Sequence, residues 1–323
     1  MKAKSQATSE PRPTWTALSL SILNGVVGDY LQERGNGLAI EMGFYHHNRP
    51  LPLSSAAIKR VHPTPTSKIC LLLHGLVSNE GIWAFADPAQ PAEQTSYGAL
   101  LQRDLGFTPF YVRYNSGLPI AENGRNLAGL IEQLLASYPV PISEIVLIGH
   151  SMGGLVIRSA CELASQNEAA WVQLVTRAFY LGTPHDGANL ARFAHGTVAV
   201  LQAIPNPITR LVGTIINIRS QGIQDLRHGA AHAAPNISPD PAWLPCMKHY
   251  LLVGTLTKNP RHLITLLFGD ALVQIPNLPQ STAATPPSAG PHSDHLQIFP
   301  GVHHLALAHN SAVYQQIKRW CEQ

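Results

Sequence analysis

The pattern with the clearest chemistry is a serine set between glycines at the end of an apolar run. Residues 145–148 are Ile-Val-Leu-Ile and lead into Gly149-His-Ser151-Met-Gly153. G-x-S-x-G between a strand and a helix is typical of a nucleophile elbow, a sharp turn that presents the serine at the top of a sheet. The glycines keep side chains out of the turn, and the helix dipole favours negative charge developing beside Ser151. We therefore predict nucleophilic catalysis by Ser151; the alternative is a glycine-rich turn with an incidental serine.

A serine hydroxyl is a weak nucleophile, so this chemistry also needs a base and an acid that orients the base. In folds with such an elbow the order along the chain is Ser, then Asp or Glu, then His. We choose Asp270 as the acid, because it follows the apolar run 250–253 and would share the carboxyl edge of the sheet with Ser151. The alternative is a turn aspartate beside Gly269. The downstream candidates are Asp186, Asp225, Asp240, Asp270 and Asp294.

The base is expected on the last loop, where His303 and His304 precede a predicted C-terminal helix over Ser311–Trp320. Adjacent side chains of an extended segment point in opposite directions, so only one of the two can face the serine. We choose His304 and expect His303 to support it or to lie at the surface. His309 fits the cap region of the following helix.

The tetrahedral intermediate of acyl transfer also needs donors for its oxyanion. One is the backbone N–H that follows the nucleophile, here that of Met152. The other usually comes from the loop after an earlier strand, which here is His74-Gly-Leu76-Val-Ser78. We assign the second donor to the backbone N–H of Leu76.

The elements that must position these groups follow from short apolar runs, which are typical of strands buried on both faces of a parallel sheet. Such runs occupy residues 68–73, 110–114, 145–148, 178–181 and 250–253. Helical stretches are predicted between some of them, over 127–135 and over Ser151–Ala164. Strands that alternate with helices predict an α/β fold, with a mostly parallel, doubly wound sheet and helices on both faces.

The N-terminal region, residues 1–65, is expected to pack on this domain. Residues 1–13 are predicted to be a loose leader, and a helix is predicted to end near Arg34-Gly35, since glycine favours helix C-termini. Its polar face is not basic, which favours docking onto the domain over membrane-surface binding. Four prolines between 50 and 65 predict a loop or edge strand. The apolar stripe of the helix is Trp15, Leu18, Ile22, Val26 and Tyr30.

Composition excludes several other classes of protein. The chain has 323 residues, 45% hydrophobic and only 13% charged, which excludes a mostly disordered protein. A net charge of +3 offers no electrostatic basis for binding nucleic acid. No apolar run is long enough to span a membrane. The four cysteines and 16 histidines show no metal-site spacing, so we expect no metal and no cofactor. No secretory signal pattern follows Met1, so we expect a cytoplasmic location.

Four motifs together resemble bacterial α/β-hydrolase lipases and esterases, in a branch similar to triacylglycerol lipases and GPI-inositol deacylases. They are Leu73-His-Gly-Leu76, Gly149-His-Ser-Met-Gly-Gly154, Leu181-Gly-Thr-Pro-His-Asp-Gly187 and His304-Leu-Ala-Leu307. Two further marks of the branch are Tyr111-Val-Arg-Tyr-Asn-Ser-Gly117 and Gly222-Ile-Gln-Asp-Leu-Arg227. The resemblance covers about residues 65 to 323.

The resemblance implies an α/β-hydrolase domain over 66–323 and a triad of Ser151, Asp270 and His304. It also implies a helical lid insertion over about 188–245, and it gives His185 a structural role. The expected activity is hydrolysis of carboxylic esters with hydrophobic acyl groups, the expected partner being a small-molecule ester. Acyl transfer or thioester hydrolysis by the same triad, and a non-catalytic binding protein, are the alternatives. Oligomeric state and peripheral membrane contact are left open.

Overall fold

The five apolar runs are neighbouring strands of one sheet in the computed structural model, which describes residues 14–185, 243–257 and 295–323. Within these ranges, short 3-10 helices cover Glu80–Trp83, Ala170–Leu174 and His304–Ala308. The remaining elements, in chain order, are α1 (Thr14–Glu33), β1 (Gly43–His46), β2 (Arg49–Pro50), α2 (Ser55–Val61), β3 (Lys68–Leu73), β4 (Phe85–Ala86), β5 (Gln94–Thr95), α3 (Tyr97–Leu105), β6 (Thr108–Arg113), α4 (Ile120–Ser137), β7 (Glu144–His150), α5 (Met152–Gln166), β8 (Val175–Leu181), β9 (Lys248–Gly254), β10 (Leu296–Phe299) and α6 (Ser311–Cys321).

The order of the strands places the predicted site at a switch point. Among the described residues the main sheet runs β10-β9-β8-β7-β3-β6-β1-β2, and β4 pairs with β5 separately. All strands from β10 to β6 are parallel, whereas β1 and β2 are antiparallel. The chain runs from β3 to β6 on one side and then returns to β7 on the other. Ligands of such sheets bind at the carboxyl ends of the strands where the order reverses, which here is between β3 and β7.

Alternate residues of the central strands enter two separate apolar cores, one on each face of the sheet. Leu71 and Leu73 belong to the core that contains α4 and α5, whereas Cys70 and Leu72 belong to the core that contains α3 and α6. A strand covered on both faces has no solvent side, which explains why β3 is almost continuously apolar. The predicted mostly parallel, doubly wound α/β sheet is therefore confirmed.

The N-terminal helix packs differently from the predicted stripe. Ile22 and Val26 are buried, but Leu18 and Tyr30 are 45% and 51% exposed. One reason is that the buried side consists largely of small residues, which let the backbone approach the domain closely. The other reason is a kink at Val27, with φ −134° and ψ 24°, which breaks the helical spacing before Tyr30. The small or polar residues buried on this side are Ala17, Ser21, Asn24, Gly25 and Gly28.

The proline-containing segment 50–65 holds a helix that the sequence analysis missed. The prediction of edge structure is correct for β2, which forms one end of the sheet. Residues Ser55–Val61, however, form α2, because the prolines lie outside this stretch and Ser54 caps it by accepting a hydrogen bond from the Ala57 N–H.

Most of the expected lid, 188–245, lies outside the described residues, which resume at Trp243. Within the ranges that the structure describes, none of the helices has the length and apolar character needed to cross a membrane.

Candidate active site

Ser151 occupies the turn between β7 and α5 in a strained backbone conformation. Its φ is +56° and its ψ is −127°, a region that residues with a side chain rarely adopt. The Ser151 N–H donates to the carbonyl of Leu181 at 2.8 Å, and this bond joins the turn to the end of β8. The side chain is buried and makes no capping hydrogen bond to α5. Strain of this kind persists only where the surroundings impose it and is common at functional sites.

The glycines of the elbow allow the predicted oxyanion loop to approach the serine. A Cβ atom at Gly153 would lie 2.5 Å from the His74 carbonyl oxygen, and one at Gly149 would lie 2.5 Å from the Gly154 nitrogen. At Gly75 a Cβ atom would lie 2.9 Å from the Ser151 Cβ. The loop after β3 therefore passes directly beside Ser151.

The two adjacent histidines of the last loop have opposite environments. His304 is buried at 3% exposure, whereas His303 is exposed. His303 caps the short 3-10 helix, with its Nδ1 accepting from the Ala306 N–H at 3.4 Å. His304 lies against the end of β8, since a Cβ atom at Gly182 would lie 2.9 Å from its Nδ1.

The residue before the nucleophile connects the elbow to His304. His150 Nε2 lies 3.0 Å from the His304 carbonyl oxygen, which can only accept, so Nε2 carries the proton. The two rings have centroids 4.9 Å apart. Burial, followed by the neighbouring His304, holds the pKa of His150 well below its usual range. His150 is therefore a neutral donor that holds the backbone of the histidine loop against the elbow.

These contacts place two predicted components beside Ser151 and a third, His304, beside the residue that precedes the serine. Met152 begins α5 next to Ser151, and Leu76 is buried in the loop that passes beside that serine. His304 lies against His150 and Gly182. Asp270 and the four other candidate acids lie outside the described residues, so the acid stays a prediction.

His74 has a positioning function that the sequence analysis did not assign. Its Nδ1 lies 2.8 Å from the Gly75 carbonyl oxygen and therefore donates to it. Its Nε2 accepts from the Tyr114 N–H at 3.3 Å, and the Tyr114 hydroxyl donates to the His74 carbonyl at 2.8 Å. Burial lowers the pKa of His74 to about 4. The motif Leu73-His-Gly-Leu76 contains His74, and the stretch Tyr111–Gly117 contains its partner Tyr114, but neither pattern indicates that the two residues are bonded to each other.

A second group of histidines, the buried His249 and the partly buried His185, lies between α5 and the strands β8 and β9. Arg158 Nη1 donates to His185 Nδ1 at 3.2 Å, and the His185 ring packs on Tyr180 and Trp243. The Tyr180 hydroxyl donates to His249 Nδ1 at 3.0 Å, because His249 Nε2 donates to a backbone carbonyl. Burial lowers the pKa of His249 to about 4 and that of His185 well below its usual range. His185 thus belongs to a side-chain network, as the resemblance implies.

No group of three histidine, cysteine or acidic side chains suited to a metal ion occurs among the residues described.

Comparison with known proteins agrees with this architecture. A family model described as a PGAP1-like alpha/beta domain matches residues 115–226, about a third of the chain, including the elbow. The chain has the α/β-hydrolase fold. The match and the sheet order together confirm the assignment to the α/β-hydrolase superfamily. No curated protein matches the chain.

Solved structures with a similar fold include several hydrolases. Lipase BlEst2 of Bacillus licheniformis, in its propeptide form, is 18% identical with a TM-score of 0.47; the match covers 78% of this chain and 51% of that one. The chain thus spans about half the length of that lipase. Carboxylesterase CesB of Bacillus subtilis is 14% identical over 80% and 86% of the chains, with a TM-score of 0.39. The NocB thioesterase domain of the nocardicin cluster is 18% identical over 81% and 96%, with a TM-score of 0.41. These likenesses are weak, and the fold assignment depends on the sheet order and the PGAP1-like match.

Proposed function

We propose that this α/β-hydrolase cleaves carboxylic esters with hydrophobic acyl groups through an acyl-enzyme on Ser151. The observation that carries the proposal is a strained serine beside the loop after β3, with the buried His304 held against the residue that precedes the serine. A strained backbone conformation must be stabilised by its surroundings. A nucleophile elbow requires such a conformation, because it exposes the serine at the top of the sheet.

In the proposed first half-reaction His304 takes the proton of Ser151 Oγ as the oxygen attacks the ester carbonyl. The N–H groups of Leu76 and Met152 stabilise the negative oxygen of the tetrahedral intermediate. The C–O bond then breaks, and His304 gives its proton to the leaving alcohol. In the second half-reaction His304 takes a proton from water as the water oxygen attacks the acyl carbon. The bond between that carbon and Ser151 Oγ then breaks, and His304 gives the proton to Oγ, which releases the acid and the free serine. Asp270 is proposed to orient His304 and to stabilise its charged form.

The substrate class and domain arrangement are proposed from composition and from packing. The low charge of the chain, together with an expected apolar lid over 188–245, favours a hydrophobic acyl group. The hydrolase domain is proposed to span 66–323, with residues 1–65 packed on it through α1 and the edge strands. The cytoplasmic location stays a prediction from the sequence.

Labelling and turnover of matched variants test the proposal. A fluorophosphonate should label the wild type on the peptide that contains Ser151, and p-nitrophenyl esters should be hydrolysed. Ser151→Ala should abolish both. Ser159→Ala is a matched control, because Ser159 is a buried serine on α5, the helix that follows Ser151, and its hydroxyl has no hydrogen-bond partner among the described residues. It should retain labelling and turnover. Undiminished turnover by Ser151→Ala would sink the proposal.

Ester hydrolysis, acyl transfer and thioester hydrolysis would all pass through the same acyl-enzyme, so substrate preference and the products formed are needed to distinguish them. With wild-type enzyme, added alcohol would divert product from acid to ester in an acyltransferase. A higher kcat/KM for an acyl thioester than for the matched oxygen ester would indicate a thioesterase. Absence of both labelling and turnover would favour the binding-protein alternative.

A further inference from the structure

Val77, the residue directly after the proposed oxyanion donor Leu76, has an unfavourable backbone conformation. Its φ is +54°. A β-branched residue in this region is a genuine outlier, because its Cβ substituents crowd the backbone. Released from its surroundings, Val77 would relax toward negative φ and would rotate the peptide that joins it to Leu76.

The contact that holds Val77 comes from the neighbouring loop. β3 and β6 are parallel neighbours, so the loops that follow them lie side by side at the carboxyl edge. The Val77 N–H donates to Ser116 Oγ at 3.0 Å. Ser116 is buried at 1% exposure, so water does not replace this acceptor readily.

Helix α1 closes the other side of this contact. A Cβ atom at Gly25 would lie 2.4 Å from the Val77 Cγ1, so the helix backbone presses directly on the valine side chain. The loop with Ser116 is held in the same way, since a Cβ atom at Gly117 would lie 2.2 Å from the Asn24 carbonyl oxygen. Val77 is therefore confined between the Ser116 hydroxyl and α1.

The two peptide planes that flank Leu76 are each fixed by one side chain. Peptides are planar and trans, so the Leu76 N–H points opposite to the Gly75 carbonyl, which accepts from His74. The next plane contains the Val77 N–H, which Ser116 holds. The Leu76 N–H lies in the first plane, which is joined to the second through the φ and ψ of Leu76. Holding the second plane therefore restricts rotation of the first and keeps the direction of the Leu76 N–H.

We propose that Ser116 is a positioning residue of the oxyanion hole, which holds Val77 in its left-handed conformation and thereby aims the Leu76 N–H at the developing oxyanion. This inference rests on the proposed function. Oxyanion donors act because they are preorganised, so a rotated donor weakens transition-state binding more than substrate binding. Loss of Ser116 should therefore lower kcat rather than raise KM.

The experiment compares Ser116→Ala with Ser116→Cys, which keeps the size but is a weak acceptor. We expect Ser116→Ala to lower kcat on a p-nitrophenyl ester by roughly tenfold to hundredfold, with KM changed by less than about twofold. Affinity for an alkyl boronic acid, which forms a tetrahedral adduct with the serine, should fall by a similar factor. Ser116→Cys should give an intermediate loss. Ser21→Ala, which removes a buried serine–carbonyl bond within α1, is the matched control and should keep kcat.

A second variant keeps the inference testable if Ser116→Ala is unstable. Glycine adopts positive φ without cost, so Val77→Gly combined with Ser116→Cys should recover part of the kcat lost in Ser116→Cys alone. Wild-type kcat in Ser116→Ala, a rise in KM with unchanged kcat, or no recovery by Val77→Gly would overturn the inference. Failure of the proposed function is a separate result, because it would appear as activity in Ser151→Ala whatever Ser116 does.

Discussion

Two groups of histidines in the described part of the chain differ in what their rings hold. The elbow group is His74, His150 and His304, at the carboxyl ends of β3 and β7. Its described hydrogen bonds connect rings to backbone: His74 binds the Gly75 carbonyl and the Tyr114 N–H, and His150 binds the His304 carbonyl. These bonds fix loops beside a serine with positive φ.

The network group is His185 and His249, between α5 and β8–β9. Its bonds run mainly from side chain to side chain, from Arg158 to His185 and from Tyr180 to His249. Arg158 also lies 4.0 Å from the ring centroid of Trp243. Such bonds hold a helix onto a sheet and leave no strained backbone among the residues involved.

Burial and a lowered pKa therefore do not distinguish the two groups. His74 and His249 both have pKa values lowered to about 4 by burial, yet only His74 holds a loop of the candidate site. The distinguishing feature is the positive φ of Ser151 and Val77, which lie beside the elbow group. Between these two groups, positive φ rather than a lowered pKa marks the group at the candidate site.

The largest expected difference between the groups is in catalysis. His304→Ala should lower kcat on the order of 10⁴-fold, because it removes the proposed base. His185→Ala should keep kcat within about threefold and lower the free energy of unfolding by about 1 to 3 kcal/mol, because it leaves buried partners without their bond. Turnover assays and urea unfolding measure the two effects. His303→Ala is the matched neighbour and should stay active; equal losses in His304→Ala and His185→Ala would remove the distinction.

Much of the fold could be predicted, because the central strands are buried on both faces and have a simple apolar signal. The face of α1 that packs on the domain could not be predicted, because it is determined by small residues and by the kink at Val27. The position of Ser151 in a turn between a strand and a helix could be predicted, because the glycines and the flanking strand of its motif specify that turn. The bond from Val77 to Ser116 was not, because it joins residues 39 apart in sequence and a valine gives no sign of positive φ.

The second expected effect is a loss of stability at low pH. It should be smaller than the effect on catalysis and should occur in both groups of histidines. The folded protein keeps His74 and His249 neutral down to about pH 4, whereas in the unfolded chain each takes up a proton near pH 6.5. Between these values the unfolded state binds more protons, so stability is lost as pH falls from about 6.5 to 4. Between pH 7 and 5 each ring should account for a loss of about 2 kcal/mol.

Urea unfolding of two variants at pH 7 and pH 5 measures the predicted loss of stability on acidification. His249→Gln and His74→Leu should each show a smaller loss of stability on acidification than the wild type. Only His74→Leu should also lower kcat, since that ring holds the oxyanion loop. A wild-type pH dependence in His249→Gln would refute the assignment of a buried neutral ring.

The smallest and most closely matched test removes one hydroxyl from each group. The Tyr114 hydroxyl donates to the His74 carbonyl at 2.8 Å, and the Tyr180 hydroxyl donates to the His249 ring at 3.0 Å. Both tyrosines are 1% exposed and stack on their histidine. Replacement by phenylalanine removes the same atom from the same kind of environment, so each variant should lose about 1 kcal/mol of unfolding free energy.

Only Tyr114→Phe should lower kcat, by roughly threefold to tenfold, because the freed His74 carbonyl lies where β3 enters the oxyanion loop. Tyr180→Phe should unfold at lower urea concentration and keep its kcat. Since the stability losses are alike, a difference in kcat reports where the hydroxyl acts rather than how much structure it holds. Equal kcat losses in the two variants would mean that the network group also positions the site, and the comparison of the two groups would fail.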